Sequence, residues 1–320
     1  MPLVQLAPGL QTTVQDLGRL GYGAQGVSPS GAADPISLRI GNRLLGNPAN
    51  AAALEMTLMG GSFLFTEAAA VSLTGSDFGA TLDGAAVPNW VAFRVTPGQT
   101  LKIAHTRTGA RCYLCVQGGV VVPTLLGSAS THLLSGLGGV EGRALRKGDV
   151  VASGAPHAPR LARVDPKRLN EVAPVRTQME APADLVLRVT AGPQASRFTG
   201  SPTGAFYAGT YAVTEEANRT GIRLEGPAIE DPSKSQMISE GVALGAIQIP
   251  AGGQPIILNV EQQTAGGYPK IANVISADLA TLGQLRPRDK VRFELVSIAD
   301  AIAALRAQEH LLQSEDWLDL

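Results

Sequence analysis

Apolar and polar positions alternate in short runs along most of the chain, and turn residues separate the runs, the pattern of half-buried β-strands. One early stretch breaks the alternation with a helical period. Asp34 can cap it, Pro35 suits the first helical position, Ile36, Ile40 and Leu44 share one face, and Gly46-Asn47-Pro48 stops it. A helix lying on a sheet is predicted there. After it, apolar runs at 62–65, 71–74 and 80–82 lead to an Asp83-Gly84 turn. Runs at 90–95 and 100–105 flank Pro97-Gly98, and the run 111–116 is followed by Gly118-Gly119. This spacing predicts successive antiparallel hairpins and an N-terminal β lobe over residues 1–155.

Residues 156–183 carry Pro156, Pro159, Pro166 and Pro174 amid mixed charge with little apolar periodicity, the composition of a linker. A second β-rich lobe is predicted over 184–320. Within it, 185–190 alternates, 242–249 and 256–260 flank Ala251-Gly252-Gly253 as a hairpin, 276–284 suits a short helix, and 290–296 reads as a strand. Ser297 and Asp300 resemble a capping box before Ile298, Ile302 and Leu305, so a terminal helix is expected to cover a sheet edge. The predicted class is mainly β with a few helices, in two lobes.

Composition narrows the function. A chain of 320 residues has room for two hydrophobic cores, and 37 glycines fit a fold rich in tight turns. The formal net charge is −1 with no block of like charge, so nucleic acid and anionic membrane surfaces are not expected partners. No run of about 18 uncharged apolar residues occurs, and Met1-Pro2-Leu3-Val4-Gln5 does not start a secretory leader. A cytoplasmic protein is expected. Cys112 and Cys115, the only cysteines, are spaced C-x-x-C, but within a strand they point to opposite faces and read as two small apolar residues. His105, His132, His157 and His310 have no metal-ligand spacing, so no metal site is expected.

Three segments concentrate polar chemistry. In Glu261-Gln262-Gln263-Thr264-Ala265-Gly266-Gly267-Tyr268-Pro269-Lys270, two glycines let backbone approach a ligand and Lys270 offers a compact positive charge. A plain hairpin with Lys270 in solvent fits as well. The second comprises Thr13-Val14-Gln15-Asp16-Leu17-Gly18-Arg19 and Gly26-Val27-Ser28-Pro29-Ser30-Gly31-Ala32-Ala33-Asp34. Ser30 and Asp34 precede the first helix, where N–H groups can hold an anion or simply be capped. Asp16 and Arg19 suit either substrate contact or an internal ion pair. The third is Asn218-Arg219-Thr220-Gly221-Ile222-Arg223-Leu224-Glu225-Gly226, in which a strand would put Arg219 and Arg223 on one face, with Glu225 able to neutralise them. Arg143 is open to the same two readings. His132 is a candidate base for which a surface position is expected. The chain has no G-x-x-x-x-G-K-[ST] loop and no G-x-S-x-G elbow, which argues against a Walker-type nucleotide site and a serine hydrolase.

Taken in order, these segments resemble the family of the 5-oxoprolinase C subunit, the Kip-type antagonist KipA and the allophanate-hydrolase-subunit-2-like carboxyltransferase segment of urea carboxylase. The resemblance rests on Thr13 to Arg19, Ser30 to Asp34, Leu73-Thr74-Gly75-Ser76-Asp77, Gly127-Ser128-Ala129-Ser130-Thr131, Gly142-Arg143, and Gln263-Thr264 through Lys270. It implies two cyclophilin-like β-barrel lobes. It also implies one component of an enzyme, inactive alone, that opens 5-oxoproline to glutamate with ATP in company with a separate A subunit plus a KipI-like B subunit. Lys270, Arg219 and Arg223 are the candidate catalytic groups for that reaction, stabilising charge on an activated lactam. Substrate contacts fall to Asp16, Arg19, Ser30, Asp34, Arg143, Gln263, Thr264, Gly266, Gly267 and Tyr268. The related carboxyltransferase activity would take a carboxyl group from biotin held elsewhere, because this chain has no Met-Lys dipeptide for covalent biotin. A third implied role is a non-enzymatic regulator of a sensor kinase. Two departures bear on substrate choice. Glu261-Gln262-Gln263-Thr264 stands where the family often has Asp-Arg-Gln-Thr, and Ala217-Asn218-Arg219-Thr220-Gly221 where it has Ser-Asp-Arg-Met-Gly.

Overall fold

The computed structural model describes residues 2–155, 157–173, 185–198, 200–233 and 237–320. The chain divides into two compact units, one of Met1–Arg19, Ser30–Met179 and Leu311–Leu320, the other of Leu20–Pro29 and Glu180–His310. All of the expected linker's described residues belong to the first unit. There Arg163–Val164 is a strand and Leu169–Val172 a short helix, while Pro156 and residues 174–184 lie outside the described residues. Frequent prolines hid this two-residue strand, which pairs with Leu318–Asp319 from the far end of the chain.

The first unit contains two seven-stranded sheets. One runs Val120–Val121, Val150–Ser153, Pro2–Ala7, Ser62–Phe65, Thr100–Lys102, Thr81–Leu82, Ala85–Ala86; the other runs Gln11–Gln15, Ala53–Thr57, Arg111–Val116, Ala69–Gly75, Val91–Val95, Arg163–Val164, Leu318–Asp319. Leu3, Phe63, Phe65 and Leu101 of the first sheet meet Val14, Leu54, Met56 and Leu114 of the second in one core. Cys112 faces that core, whereas Cys115 lies against the opposite layer with its thiol 3.8 Å from the Leu38 carbonyl, as strand alternation requires. That layer is the helix Pro35–Leu45. Asp34 caps it by accepting from Ser37 N at 3.0 Å, Gly46 ends it at φ 77°, and Ile36, Ile40 and Leu44 are buried. Gly41 lets the helix approach the sheet, since a Cβ there would stand 2.7 Å from the Cys115 Sγ.

The second unit closes into a barrel in the order Leu185–Ala191, Lys270–Val274, Ala246–Gln248, Ile256–Leu258, Gly221–Glu225, Tyr211–Val213, Lys290–Leu295. The first and last strands pair in parallel and complete the ring. Alternation fills it: Ile222, Leu224, Val291 and Phe293 point inward, while Arg223, Glu225 and Arg292 are exposed. Phe206 stacks on Phe293 with ring centroids 4.6 Å apart, closing the core. Outside the ring, Glu240–Gly241 pairs with Ala265–Gly266 as a two-stranded ribbon. Barrel closure, which the family resemblance implies for both lobes, is thus a feature of this unit, and two sheets build the other.

The terminal helix Ile298–Gln313 begins with the expected cap, Ser297 Oγ accepting from Asp300 N at 3.1 Å and donating to its carboxylate at 2.7 Å. Its expected apolar face is not covered. Ile298 and Ile302 are exposed, and Leu312 is the buried residue. Among the described residues no helix is long and apolar enough to cross a membrane.

Candidate functional site

The glycine loop is built on the barrel rather than hanging from it. Lys270 opens a barrel strand and pairs across it with Gln248, so its side chain starts from rigid backbone. The side chain is 2% exposed, which excludes the hairpin reading with Lys270 in solvent. Its Nζ lies 2.5 Å from Glu240 Oε1 on the two-stranded ribbon. Glu240 also accepts from Gln194 Nε2 at 2.8 Å, and Gln194 Oε1 accepts from Lys270 N at 3.1 Å. The Lys270 ammonium, with Gln194 second, holds the Glu240 carboxyl below its ordinary range.

Around this pair the loop gathers amides. Gln263 Nε2 donates to Gln248 Oε1 at 3.3 Å, and Gln262 Nε2 donates to the Val242 carbonyl at 3.5 Å. Thr264 contributes its carbonyl to Val242 N at 3.1 Å. Gly266 is the register partner of Glu240, and a Cβ on it would meet Gln248 Nε2 at 2.6 Å. Gly267 adjoins the Met237 carbonyl, and Tyr268 is 48% exposed at the loop tip. At the base of the loop, Glu261 is buried and its carboxylate takes the Arg219 guanidinium in a hydrogen-bonded ion pair. Ser28 Oγ anchors the preceding residue by donating to the Val260 carbonyl at 3.0 Å.

The two candidate arginines part company. Arg219 lies in a bend before the strand and is 3% exposed, so strand alternation does not apply to it. Arg223, inside Gly221–Glu225, points outward beside Glu216 at 3.3 Å and lines an open cavity of about 990 Å³ with Glu215, Glu225 and Lys290. The shared face expected for them is not formed.

The first unit holds the other expected residues, mostly in internal roles. Asp16 is buried and accepts from Gly18 N, Ser128 Oγ, Ala129 N and Ser130 Oγ, with the first three at 2.8, 2.6 and 2.7 Å. Arg19, 2% exposed, donates to the Ser130 carbonyl, and Ser30 Oγ donates to the Thr131 carbonyl at 2.6 Å. Asp16, Arg19 and Ser30 therefore fasten the 128–131 segment. Asp34 is the helix cap, and its N–H donates to the Tyr113 hydroxyl at 2.8 Å. Arg143 bridges Glu141 and Asp149, each at 2.7 Å. His132 is buried instead of lying at the surface, its Nδ1 accepting from Ser135 N at 3.2 Å. Among the described residues no group of three or more His, Cys, Asp or Glu side chains could hold a metal ion.

Lys270, Gln263, Thr264, Gly266 and Gly267 thus come together, and the structure adds Glu240, Gln194, Gln248 and Gln262. Gln248 had a sequence signal, a polar residue inside an apolar strand beside Ile247 and Ile249. Glu240 and Gln194 had none, because distant chain segments carry them to the loop.

A buried amine clamped by a carboxylate, with side-chain amides packed beside a glycine loop, gathers donors and acceptors of the kind that bind small polar molecules. The family model for the carboxyltransferase domain, subdomains A and B, matches residues 25–295, and the chain belongs to that family. It is 36% identical over 299 residues to the 5-oxoprolinase C subunit of Haemophilus influenzae, covering 93% of each chain. It is 35% identical over 314 residues to the 5-oxoprolinase C subunit of Escherichia coli, covering 97% of this chain and 96% of the relative. The crystal structure of K. lactis urea amidolyase matches 99% of this chain with a TM-score of 0.89 and 31% identity, and this chain spans 21% of that one. The family resemblance drawn from the ordered motifs is borne out.

Proposed function

We propose that this chain is the C subunit of an ATP-dependent 5-oxoprolinase, which opens 5-oxoproline to L-glutamate together with the A and B subunits. The observation that carries this reading is the end-to-end likeness to two 5-oxoprolinase C subunits, each matched over more than nine-tenths of its length. The chemistry of the Lys270 loop supports it. A lactam is a stable amide; hydrolysis adds water at its carbonyl carbon and breaks the C–N bond, leaving a carboxylate and an amine. Negative charge develops on the carbonyl oxygen, and in this reading the Lys270 ammonium, held by Glu240, donates to it. ATP supplies the activation in the complex. The basic groups beside the loop are already neutralised, Lys270 by Glu240 and Arg219 by Glu261, a donor set that does not fit a polyphosphate. Nucleotide is therefore assigned to the complex rather than to this loop. ATP use also fits a cytoplasmic complex.

Carboxyl transfer from biotin to a urea-like amide is the second reading, favoured by the family model and the urea amidolyase likeness. The biotin would be carried by another polypeptide. The test is to assemble the chain with its partner polypeptides and measure 5-oxoproline-dependent release of ADP and glutamate, omitting each component in turn. Turnover is expected to vanish without this chain. Undiminished turnover in its absence would overturn the assignment, and biotin-dependent carboxylation of urea would then be measured.

A further inference from the structure

Two glutamines in the second unit are buried with half of their hydrogen-bonding capacity unused. Gln248 is 1% and Gln262 5% exposed. The Gln248 carbonyl oxygen accepts from Gln263 and the Gln262 amide nitrogen donates to Val242, but Gln248 Nε2 and Gln262 Oε1 have no hydrogen-bond partner among the described residues. Buried polar groups are nearly always paired, so one unpaired donor on a barrel strand and one unpaired acceptor on the loop beside it demand a reason.

Their surroundings form one closed circuit of contacts. Gly266 packs on Gln248 Nε2 and on the Val242 side chain, Val242 holds Gln262, Gln248 is the strand partner of Lys270, and Lys270 reaches Glu240, the register partner of Gly266. The unused pair selects a ligand by its chemistry. A carboxylate or phosphate offers acceptors only and would set its charge against Gln262 Oε1 and Glu240. An ammonium offers donors only and would leave Gln248 Nε2 unpaired beside Lys270. A ring amide or a ureide presents a carbonyl oxygen and an N–H on the same edge and satisfies both.

We propose that Gln248 and Gln262 form an amide-recognition subsite. Gln248 Nε2 donates to the ligand's carbonyl oxygen and Gln262 Oε1 accepts its N–H. The short ribbon Glu240–Gly241 with Ala265–Gly266 adjoins the subsite through Gly266. The proposal rests on the reading of the Lys270 loop as the lactam site, and it makes Gln262 the residue that distinguishes an amide from an ester.

The experiment measures binding to the assembled complex, without nucleotide, by calorimetry. The probes are 5-oxoproline, its lactone analogue 5-oxotetrahydrofuran-2-carboxylate, in which ring oxygen replaces N–H, and urea. Wild type is expected to prefer lactam over lactone by about 10- to 100-fold, the consequence of leaving a buried acceptor unpaired. Gln262→Met should bring that ratio close to one. Gln248→Met should weaken both ring probes by about tenfold or more and leave the ratio unchanged. A wild-type ratio near one overturns the subsite whether or not the variants fold, and so does an unchanged ratio in a folded Gln262→Met protein. If lactam turnover persists but neither glutamine alters discrimination, the subsite fails and the oxoprolinase reading stands. If urea binds in a Gln262-dependent way and the lactam does not, the subsite stands and that reading fails. Binding of none of the three probes sinks the subsite.

Discussion

Replacing Glu261 with Ala tests whether the buried ion pair at the base of the loop supports the fold. The Arg219 and Glu261 side chains are 4% and 3% exposed, so neither charge is solvated when the other is removed. Breaking such a pair from one side costs about 3–5 kcal/mol, because a guanidinium stays buried without its carboxylate. At about 3 °C per kcal/mol for a unit of this size, the melting temperature should fall by roughly 10–15 °C. The backbone bond from Glu261 N to the Arg219 carbonyl, 2.8 Å, survives the substitution, so the loss reports the side chains. Replacing both Arg219 and Glu261 with Met removes both charges at once and should restore most of the stability. Thermal unfolding of wild type, Arg219→Met, Glu261→Met and the double Met variant, followed by far-ultraviolet circular dichroism, closes the cycle. A fall of less than about 2 °C for Glu261→Ala, or additive losses in the double variant, would refute the reasoning. Turnover by a folded double variant would show in addition that Arg219 serves structure rather than chemistry.

Three further outcomes are expected. Because Lys270 holds the folded Glu240 carboxyl below its ordinary value of about 4.3, the pair contributes stability above that value and loses it as pH falls through the lower folded value. The protection of the ribbon amides against hydrogen exchange should therefore fall only below about pH 4, and Glu240→Gln should erase the step; identical profiles would contradict the pairing. Burial pushes the Cys112 thiol up and raises Cys115 to about 12, so neither should react with a disulfide reagent at pH 8 until the protein is unfolded, and rapid labelling of native protein would disprove this. Gly266→Ala places a Cβ 2.6 Å from Gln248 Nε2, the movable end of a side chain, so ligand binding should weaken about tenfold or more while stability falls by no more than about 1–3 kcal/mol; calorimetry and melting curves read the two separately.

Local patterns announced the elements that local physics determines. Asp34, Pro35 and Gly46 marked the first helix because caps, fixed φ and a left-handed stop act within a few residues. Strand alternation put Cys112 and Cys115 on opposite faces and Ile222 and Leu224 inside the barrel. The same logic failed at Arg219, which lies just before its strand, and at Ile298 and Ile302, whose helical period is real but whose apolar face stays exposed. Lys270 was legible as a loop cation, but its burial was not, because the covering Glu240 is thirty residues away and joins it through the ribbon. Asp16 invited a substrate role that its four internal donors replace, and no local signal distinguishes those uses of a carboxylate.

The pairing of Arg163–Val164 with Leu318–Asp319 has a consequence for biogenesis. On a ribosome, the first unit's outer strand waits for its neighbour until the entire barrel has been translated. The buried Trp317, whose indole donates to the Leu311 carbonyl at 2.9 Å, arrives in the same last stretch. Until then the nascent first unit carries an open sheet edge, and the barrel, though later in sequence, has all of its strands first. The order in which the two units finish is therefore the reverse of the order in which they begin.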